Sequence, residues 1–254
     1  MTTNKTLIVY IAYGPDHLHK QVIFSILTLY YFLNIKGEFE KINLIVFTDK
    51  KEAFEKSLNG ISIIYEILTP QEIKEYIGIR EFKHIHRLKI FVLKHCFQKY
   101  KSNLLYIDGD TYFLKSPVEL INKISNNTSI FHAKEFELSK ESEYGGGKSL
   151  KLGYDPIKLL SSVIKKINCE LHEKDYKLDM NVEMWNAGVL GISFNNHSLL
   201  DDVLKLTDRI SKKTSYFLAE QFAFSYILFK KTALMPAYEF IYHYWPEDSK
   251  EVYS

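Results

Sequence analysis

Four short apolar runs separated by helix-length segments constrain this chain more than any other feature. Leu7 to Ala12 (LIVYIA), Ile42 to Phe47 (INLIVF), Ile61 to Leu68 and Leu104 to Ile107 are strand-length and rich in β-branched or other apolar residues, which predicts buried strands. Between the first two lies Val22 to Leu33, apolar nearly all round and at least three turns long. It reads as a helix packed between a sheet and another layer. Thr69-Pro70 opens a further helix, with Pro at a position the first turn tolerates. The spacing of Ile85, Leu88, Phe91, Val92 and Cys96 gives another over Ile85 to Tyr100. Strand and helix alternating in this way specify an open α/β sheet with right-handed crossovers, and such sheets bind ligands at the carboxyl ends of their strands.

The second half is less regular. Residues 134–155 are polar and carry Gly145, Gly146 and Gly147, which reads as a mobile loop. A helix from about Pro156 to Ile167, a strand over Asn186 to Phe194, helices near 197–213 and 216–231, and an aromatic tail around His243 follow. No Pro/Gly/Ser linker divides the chain, so a single domain spanning 1–254 is expected.

Composition removes several function classes. Lys and Arg number 33 against 31 Asp and Glu, a formal charge of +2, which disfavours nucleic-acid binding by bulk charge. The charge-free stretch Gln21 to Ile35 falls short of the roughly 20 apolar residues that a bilayer span needs. Met1 to Tyr10 runs into a strand without a signal-peptide core, and Cys96 and Cys169 have no metal-knuckle spacing. A cytoplasmic location with free thiols is the expectation. The abundance of Lys, Ile, Asn and Tyr suggests an AT-rich, bacterial genome.

Chemistry concentrates at Leu104-Leu105-Tyr106-Ile107-Asp108-Gly109-Asp110. Residues two apart in an extended backbone point the same way, so Asp108 and Asp110 can converge just beyond the strand, with Gly109 letting the chain turn. Two carboxylates suit Mg²⁺ or Mn²⁺. The same triplet can also be two solvated aspartates in a turn, but its place late in an α/β series favours the metal. His84 and His86, two apart, do not align on a helix, which disfavours zinc. Gly147-Lys148-Ser149 is no P-loop, because Ser142 occupies the earlier glycine position and no strand precedes it.

Several further pieces fall in order: Thr48-Asp49 closing the second strand, a basic helix before the acidic motif, Asn186-Ala187-Gly188-Val189-Leu190-Gly191, Glu220-Gln221 and His243. Together with the first strand and its long helix, this set resembles the metal-dependent glycosyltransferases of the GT-A fold, particularly glycogenin-like and bacterial lipopolysaccharide galactosyltransferase-like retaining enzymes. The resemblance spans residues 7 to 245. It implies an α/β fold with a central mixed, mostly parallel sheet flanked by helices, a nucleotide-binding half over 1–115 and an acceptor-binding half over 116–254.

The resemblance also implies roles. Asp108, Asp110 and His243 would hold Mn²⁺ or Mg²⁺ bridging the diphosphate of a nucleotide sugar, UDP-linked in the first instance, with Asp108 and Gly109 against the donor. Asp49 would contact base or ribose and Tyr13 would stack on the base. One of Arg87 and Lys89 would contact diphosphate or sugar, and Asn186 would hydrogen-bond sugar hydroxyls. Glu220 and Gln221 would lie near the anomeric carbon, stabilising an oxocarbenium-like centre or, for Glu220, acting as general base. The implied acceptor is a hydroxyl on a glycan, a lipid-linked sugar or a protein, with peripheral membrane contact allowed.

Plainer readings stand beside these. His243 among Tyr242, Tyr244 and Trp245 can be structural, Asp49 can cap a helix, Tyr13 can be a rim residue and Asn186 a turn residue. Arg87 and Lys89 can belong to a solvated helix face, and Glu220 can be an exposed acid on an apolar helix. The tail after His243 also departs from the glycogenin-like pattern, which grips the diphosphate with Gly and Lys. Lys148 is a substitute for that grip. A sugar-phosphate nucleotidyltransferase is the rival enzyme, although Tyr13-Gly14-Pro15-Asp16 lacks its Gly-rich, Arg-containing loop. A non-catalytic nucleotide-sugar or glycan-binding module is the rival of another class.

Overall fold

The computed structural model describes residues 5–77, 86–137, 161–162, 164–165, 178, 181–213 and 218–244. Strands β1 (Thr6–Ala12), β2 (Ile42–Thr48), β3 (Ile63–Ile67) and β4 (Leu104–Ile107) run parallel, with β1 between β2 and β4 and β3 at one edge. β5 (Thr111–Phe113) follows the acidic motif, β6 (Thr128–Phe131) rejoins the main sheet, and β7 (Lys134–Glu137) pairs with β8 (Glu183–Trp185). β9 (Val189–Ile192) is antiparallel to both β4 and β6. β10 (Ala233–Pro236) lies parallel to β6 at the far edge, and β11 (Ile241–His243) pairs antiparallel with β5. The seven-stranded order is β10-β6-β9-β4-β1-β2-β3.

Period-two alternation feeds two cores from one sheet. Leu7, Val9, Ile45 and Phe47 point to one face, packed with α4 (Arg87–Tyr100), α6 (Leu199–Lys213) and α7 (Ala219–Phe229). Ile8, Tyr10, Leu44 and Val46 point to the other, under α1 (Asp16–Lys36). Such strands are apolar on both sides because both sides are covered. Each fully buried Ile, Leu or Val side chain contributes about 1.5–3 kcal/mol.

On α1 the buried Val22, Ile26, Leu29 and Leu33 follow a helical stripe against the sheet. The opposite stripe stays outside: Phe24, Leu27, Tyr31 and Ile35 are exposed. This corrects the expectation of a further covering layer among the described residues. Gly37 ends the helix in the left-handed region at φ 64°, where its N–H and that of Glu38 take the carbonyls of Asn34 and Leu33. Helix α3 (Pro70–Ile77) begins with a reciprocal cap: Glu72 N–H donates to Thr69 Oγ1 at 3.2 Å, and Thr69 N–H to Glu72 Oε2 at 2.9 Å.

Two sequence expectations need correction. Lys134–Glu137, assigned to the start of the 134–155 loop, is strand β7, stabilised by its ladder to β8. The strand over Asn186 to Phe194 is shortened to Val189–Ile192, because the Asn186 side chain folds back onto the Gly188 N–H and makes a turn of the first residues. The rest of the loop, with Gly145 to Lys148, together with His84, Cys169 and Trp245, lies outside the described residues, as does most of the 156–167 helix. Within β9, Gly191 is required by close approach: a Cβ there would lie 2.7 Å from the Ile130 side chain. Among the described residues no helix is long and apolar enough to cross a membrane.

Candidate active site

The end of β4 delivers Tyr106 and Asp108 to the same side, as strand alternation requires, and the Tyr106 hydroxyl donates to Asp108 Oδ1 at 2.5 Å. Burial, reinforced by the Asp108 charge, pushes the Tyr106 phenol well above its ordinary pKa, which keeps it a donor. Three backbone contacts hold the acidic turn. Asp108 N–H donates to Gly188 O at 2.7 Å, Thr111 Oγ1 donates to Asp108 O at 2.8 Å, and Tyr244 N–H donates to Asp110 O at 3.1 Å. Gly109 serves close packing rather than an unusual turn: a Cβ there would meet Val22 Cγ2 of α1 at 2.8 Å.

His243 arrives on β11, opposite Thr111 in the β5 pairing, with Nε2 3.2 Å from Asp110 Oδ1. Ligand atoms of Asp108, Asp110 and His243 all lie within 4.8 Å of one another, and the three form a group able to hold a metal ion. The donor set fits a hard or borderline divalent cation, with two carboxylates supplying charge and one imidazole. The cradle beneath the imidazole also fits. Gly188 leaves the space that the ring occupies, since a Cβ there would sit 2.2 Å from His243 Cε1.

Lys89 and Arg87 part company. Lys89 is buried, and its Nζ donates to Ala187 O at 3.0 Å while lying 3.0 Å from Glu220 Oε1 and 3.5 Å from Asp108 Oδ1. Burial alone would lower its ammonium pKa, but the Asp108 and Glu220 charges outweigh that and hold it above the usual lysine value. Arg87 instead grips Asp208 of α6 through Nε at 2.6 Å and Nη2 at 3.0 Å, and donates from Nη1 to Tyr76 O. It braces α4 against its neighbours. Glu220 is 3% exposed, so the plainer reading of a solvated acid is set aside: the residue is the buried counter-charge of Lys89.

Asn186 and Gln221 meet at a residue that the sequence reading passed over. Asn186 Nδ2 donates to Glu135 Oε1 at 2.9 Å, and Gln221 Nε2 donates to Glu135 Oε2 at 2.8 Å. Each amide oxygen is then taken by a backbone N–H: Asn186 Oδ1 by Gly188 at 2.9 Å and Gln221 Oε1 by Ala187 at 3.2 Å. Asn186 Oδ1 also lies 3.0 Å from His243 Nδ1. Burial raises the Glu135 pKa, only partly countered by the two amide hydrogen bonds. Its place in a polar run gave no signal. Tyr106 could have been found by its position two residues before Asp108.

Asp49 and Tyr13 sit just beyond β2 and β1, and none of the hydrogen bonds described above involves them. Asp49 caps no helix, since the short α2 (Glu52–Glu55) has Lys51 at its N-cap without a side-chain bond. Its carboxylate instead receives the Gly14 N–H at 3.3 Å and lies 2.9 Å from His19 Nε2. Tyr13 is half-buried and packs on the core that Leu7 and Val9 line. Of the tail aromatics, Tyr238 and Tyr242 are exposed while Tyr244 is buried.

No protein-family model and no curated protein matches the chain. Solved structures do. The galactosyltransferase LgtC, solved with donor and acceptor sugar analogues, superposes with a TM-score of 0.55 at 12% identity over 91% of this chain and 74% of LgtC. Mouse xyloside xylosyltransferase 1, in its apo form, gives 0.54 at 13% identity over 91% of this chain and 84% of its own. With its seven-stranded, mostly parallel sheet, helices on both faces and an acidic motif at the end of β4, the chain has the GT-A fold.

Proposed function

We propose that the chain is a metal-dependent glycosyltransferase that moves a sugar from a nucleotide-diphosphate donor, UDP-linked in the first instance, to a hydroxyl of a glycan, a lipid-linked sugar or a protein. The observation that carries this reading is the convergence of Asp108, Asp110 and His243 at the carboxyl end of a central strand in a GT-A sheet. A bound Mn²⁺ or Mg²⁺ would supply Lewis-acid neutralisation of charge on the departing diphosphate.

The chain's own residues do the rest. Asp108 and Asp110 present the carboxylates, with Asp108 oriented by Tyr106 and Lys89. Gly109 lets the acidic turn pack on α1, and Gly188 makes room for the His243 ring. Asn186 and Gln221 are buried, with their amides engaged by Glu135 and the backbone of Ala187 and Gly188, and are assigned to holding the wall behind the sugar site. Glu220 is the buried counter-charge of Lys89, and retention is the outcome favoured by the resemblance to retaining enzymes alone. Asp49 and Tyr13, at the ends of the first two strands, are assigned to the nucleoside.

Thermal melting with UDP, with and without Mn²⁺, tests the reading. Metal-dependent stabilisation should appear in the native chain and vanish in Asp108→Ala and Asp110→Ala. Hydrolysis of one UDP-sugar from a panel then separates enzyme from binding module. Turnover confined to nucleoside triphosphates with sugar phosphates would transfer the assignment to nucleotidyl transfer.

A further inference from the structure

The hydrogen bonds behind His243 form a chain whose polarity can be read from its two ends. At one end the Gly188 N–H, which can only donate, points at Asn186 Oδ1 from 2.9 Å. At the other, Glu135 Oε1 accepts from Asn186 Nδ2 at 2.9 Å. A flipped amide would set NH₂ against N–H and oxygen against carboxylate, so the orientation of Asn186 is fixed by chemistry at both ends. Glu135 is itself held from the far side by Gln221 Nε2, whose amide is fixed by the Ala187 N–H.

The consequence reaches the imidazole. A ring nitrogen 3.0 Å from Asn186 Oδ1 has to be the donor, so His243 carries hydrogen on Nδ1. Its Nε2 faces the space shared with Asp108 and Asp110, 3.2 Å from Asp110 Oδ1, so a proton or a cation has to stand between that nitrogen and the carboxylate. We infer that Glu135 is a positioning residue: through Asn186 it holds the His243 ring with Nδ1 as the donor, so that Nε2 is the nitrogen turned toward a divalent cation, which would take the place of any proton shared with Asp110. This rests on the metal reading proposed above, but it concerns a residue that touches neither the ligand set nor the acidic motif. A partner in the shell behind a ligating histidine sets ring orientation and tautomer, and its loss typically weakens metal binding about 10- to 100-fold.

The test is made first on metal-free protein with ¹⁵N-labelled histidine at about pH 8, the His243 signals being assigned by their loss in His243→Gln. The native chain should show a protonated Nδ1, whether Nε2 is bare or shares a proton with Asp110. In Glu135→Gln, Asn186 loses its charged acceptor and is held by the Gly188 N–H alone, so the His243 Nδ1 proton should exchange faster with solvent. Mn²⁺ affinity by calorimetry should fall about 10- to 100-fold while cooperative melting is retained. Glu135→Asp, a shorter acid, should recover part of both. An unprotonated Nδ1 in the native chain, or an unchanged Nδ1 proton exchange rate and Mn²⁺ affinity in Glu135→Gln, overturns the inference. Should Glu135→Gln fail to fold, the native tautomer and Glu135→Asp decide it. A native chain with the Nδ1–H tautomer and no Mn²⁺ binding would count against the proposed function and for the positioning role.

Discussion

Among the described residues two aspartate–histidine pairs lie at strand ends, and only one of them resembles a cation site. His19 and Asp49 meet at 2.9 Å beside the turn after β1, and His243 and Asp110 meet at 3.2 Å beyond β4. Both histidines are buried and both aspartates are partly exposed. In the first pair the partners are tied to the turn after β1: Asp49 also takes the Gly14 N–H, and the second nitrogen of His19 faces Pro15 O. The second pair has Asp108 as a third member and Gly188 beneath the ring. An acid touching an imidazole is thus not enough; a further carboxylate and a shaped floor distinguish the site.

The largest effect that would break this comparison belongs to the acids. Asp108→Ala or Asp110→Ala should lower sugar transfer or donor hydrolysis by about 100- to 1,000-fold, the range for losing a main electrostatic stabiliser. Steady-state rates on the best donor measure it. Gly188→Ala comes next. Its methyl would enter the space of the His243 ring, which should weaken Mn²⁺ binding about 10- to 100-fold and cost about 1–3 kcal/mol of stability through overpacking. Calorimetry and urea unfolding give the two numbers.

The other pair supplies the control. Asp49→Ala should cost about 1–3 kcal/mol, because the Gly14 N–H and His19 lose their acceptor, while Mn²⁺ affinity stays at the native value. A loss of Mn²⁺ affinity there would erase the distinction between the two pairs.

The smallest effect sharpens it. His132 stands edge-on to His243 at 5.2 Å, and burial, aided by repulsion from His243, lowers its pKa from 6.5 to about 4. A histidine with a depressed folded pKa is protonated earlier in the unfolded chain. Its stabilising contribution is therefore complete above about pH 6.5 and is lost as pH falls toward 4. The metal-free native chain should lose up to about 3 kcal/mol across that window, and His132→Gln should lose less. Urea midpoints at the two ends of the window provide the measurement.

The sequence disclosed the front of the sheet because β1, β2 and β4 are covered on both faces and so read as unbroken apolar runs. It disclosed Asp108 and Asp110 for the same reason, since the strand before them is unmistakable. The short strands β5, β8 and β11 escaped because three residues carry no period, and their conformation comes from the partner strand. Glu135 escaped because β7 is polar and half-exposed, so its role arises only from where Asn186 and Gln221 point. Arg87 and Lys89 were indistinguishable in the sequence, since the choice between them depends on Asp208 and Glu220, each more than a hundred residues away.

Strand β9 shows how alignment can be enforced by omission. All four of its residues are buried, so greasiness on both sides gives no preference for one offset against its neighbours over the next. Two missing methyl groups supply the preference. Gly188 at its threshold clears the His243 ring, and Gly191 within it clears Ile130. Sliding the strand by one position would drive a side chain into both obstacles together. The keyway that holds β9 in phase thus also keeps the floor of the cation pocket in place, so errors of sheet assembly and errors of metal loading would arise from the same slip.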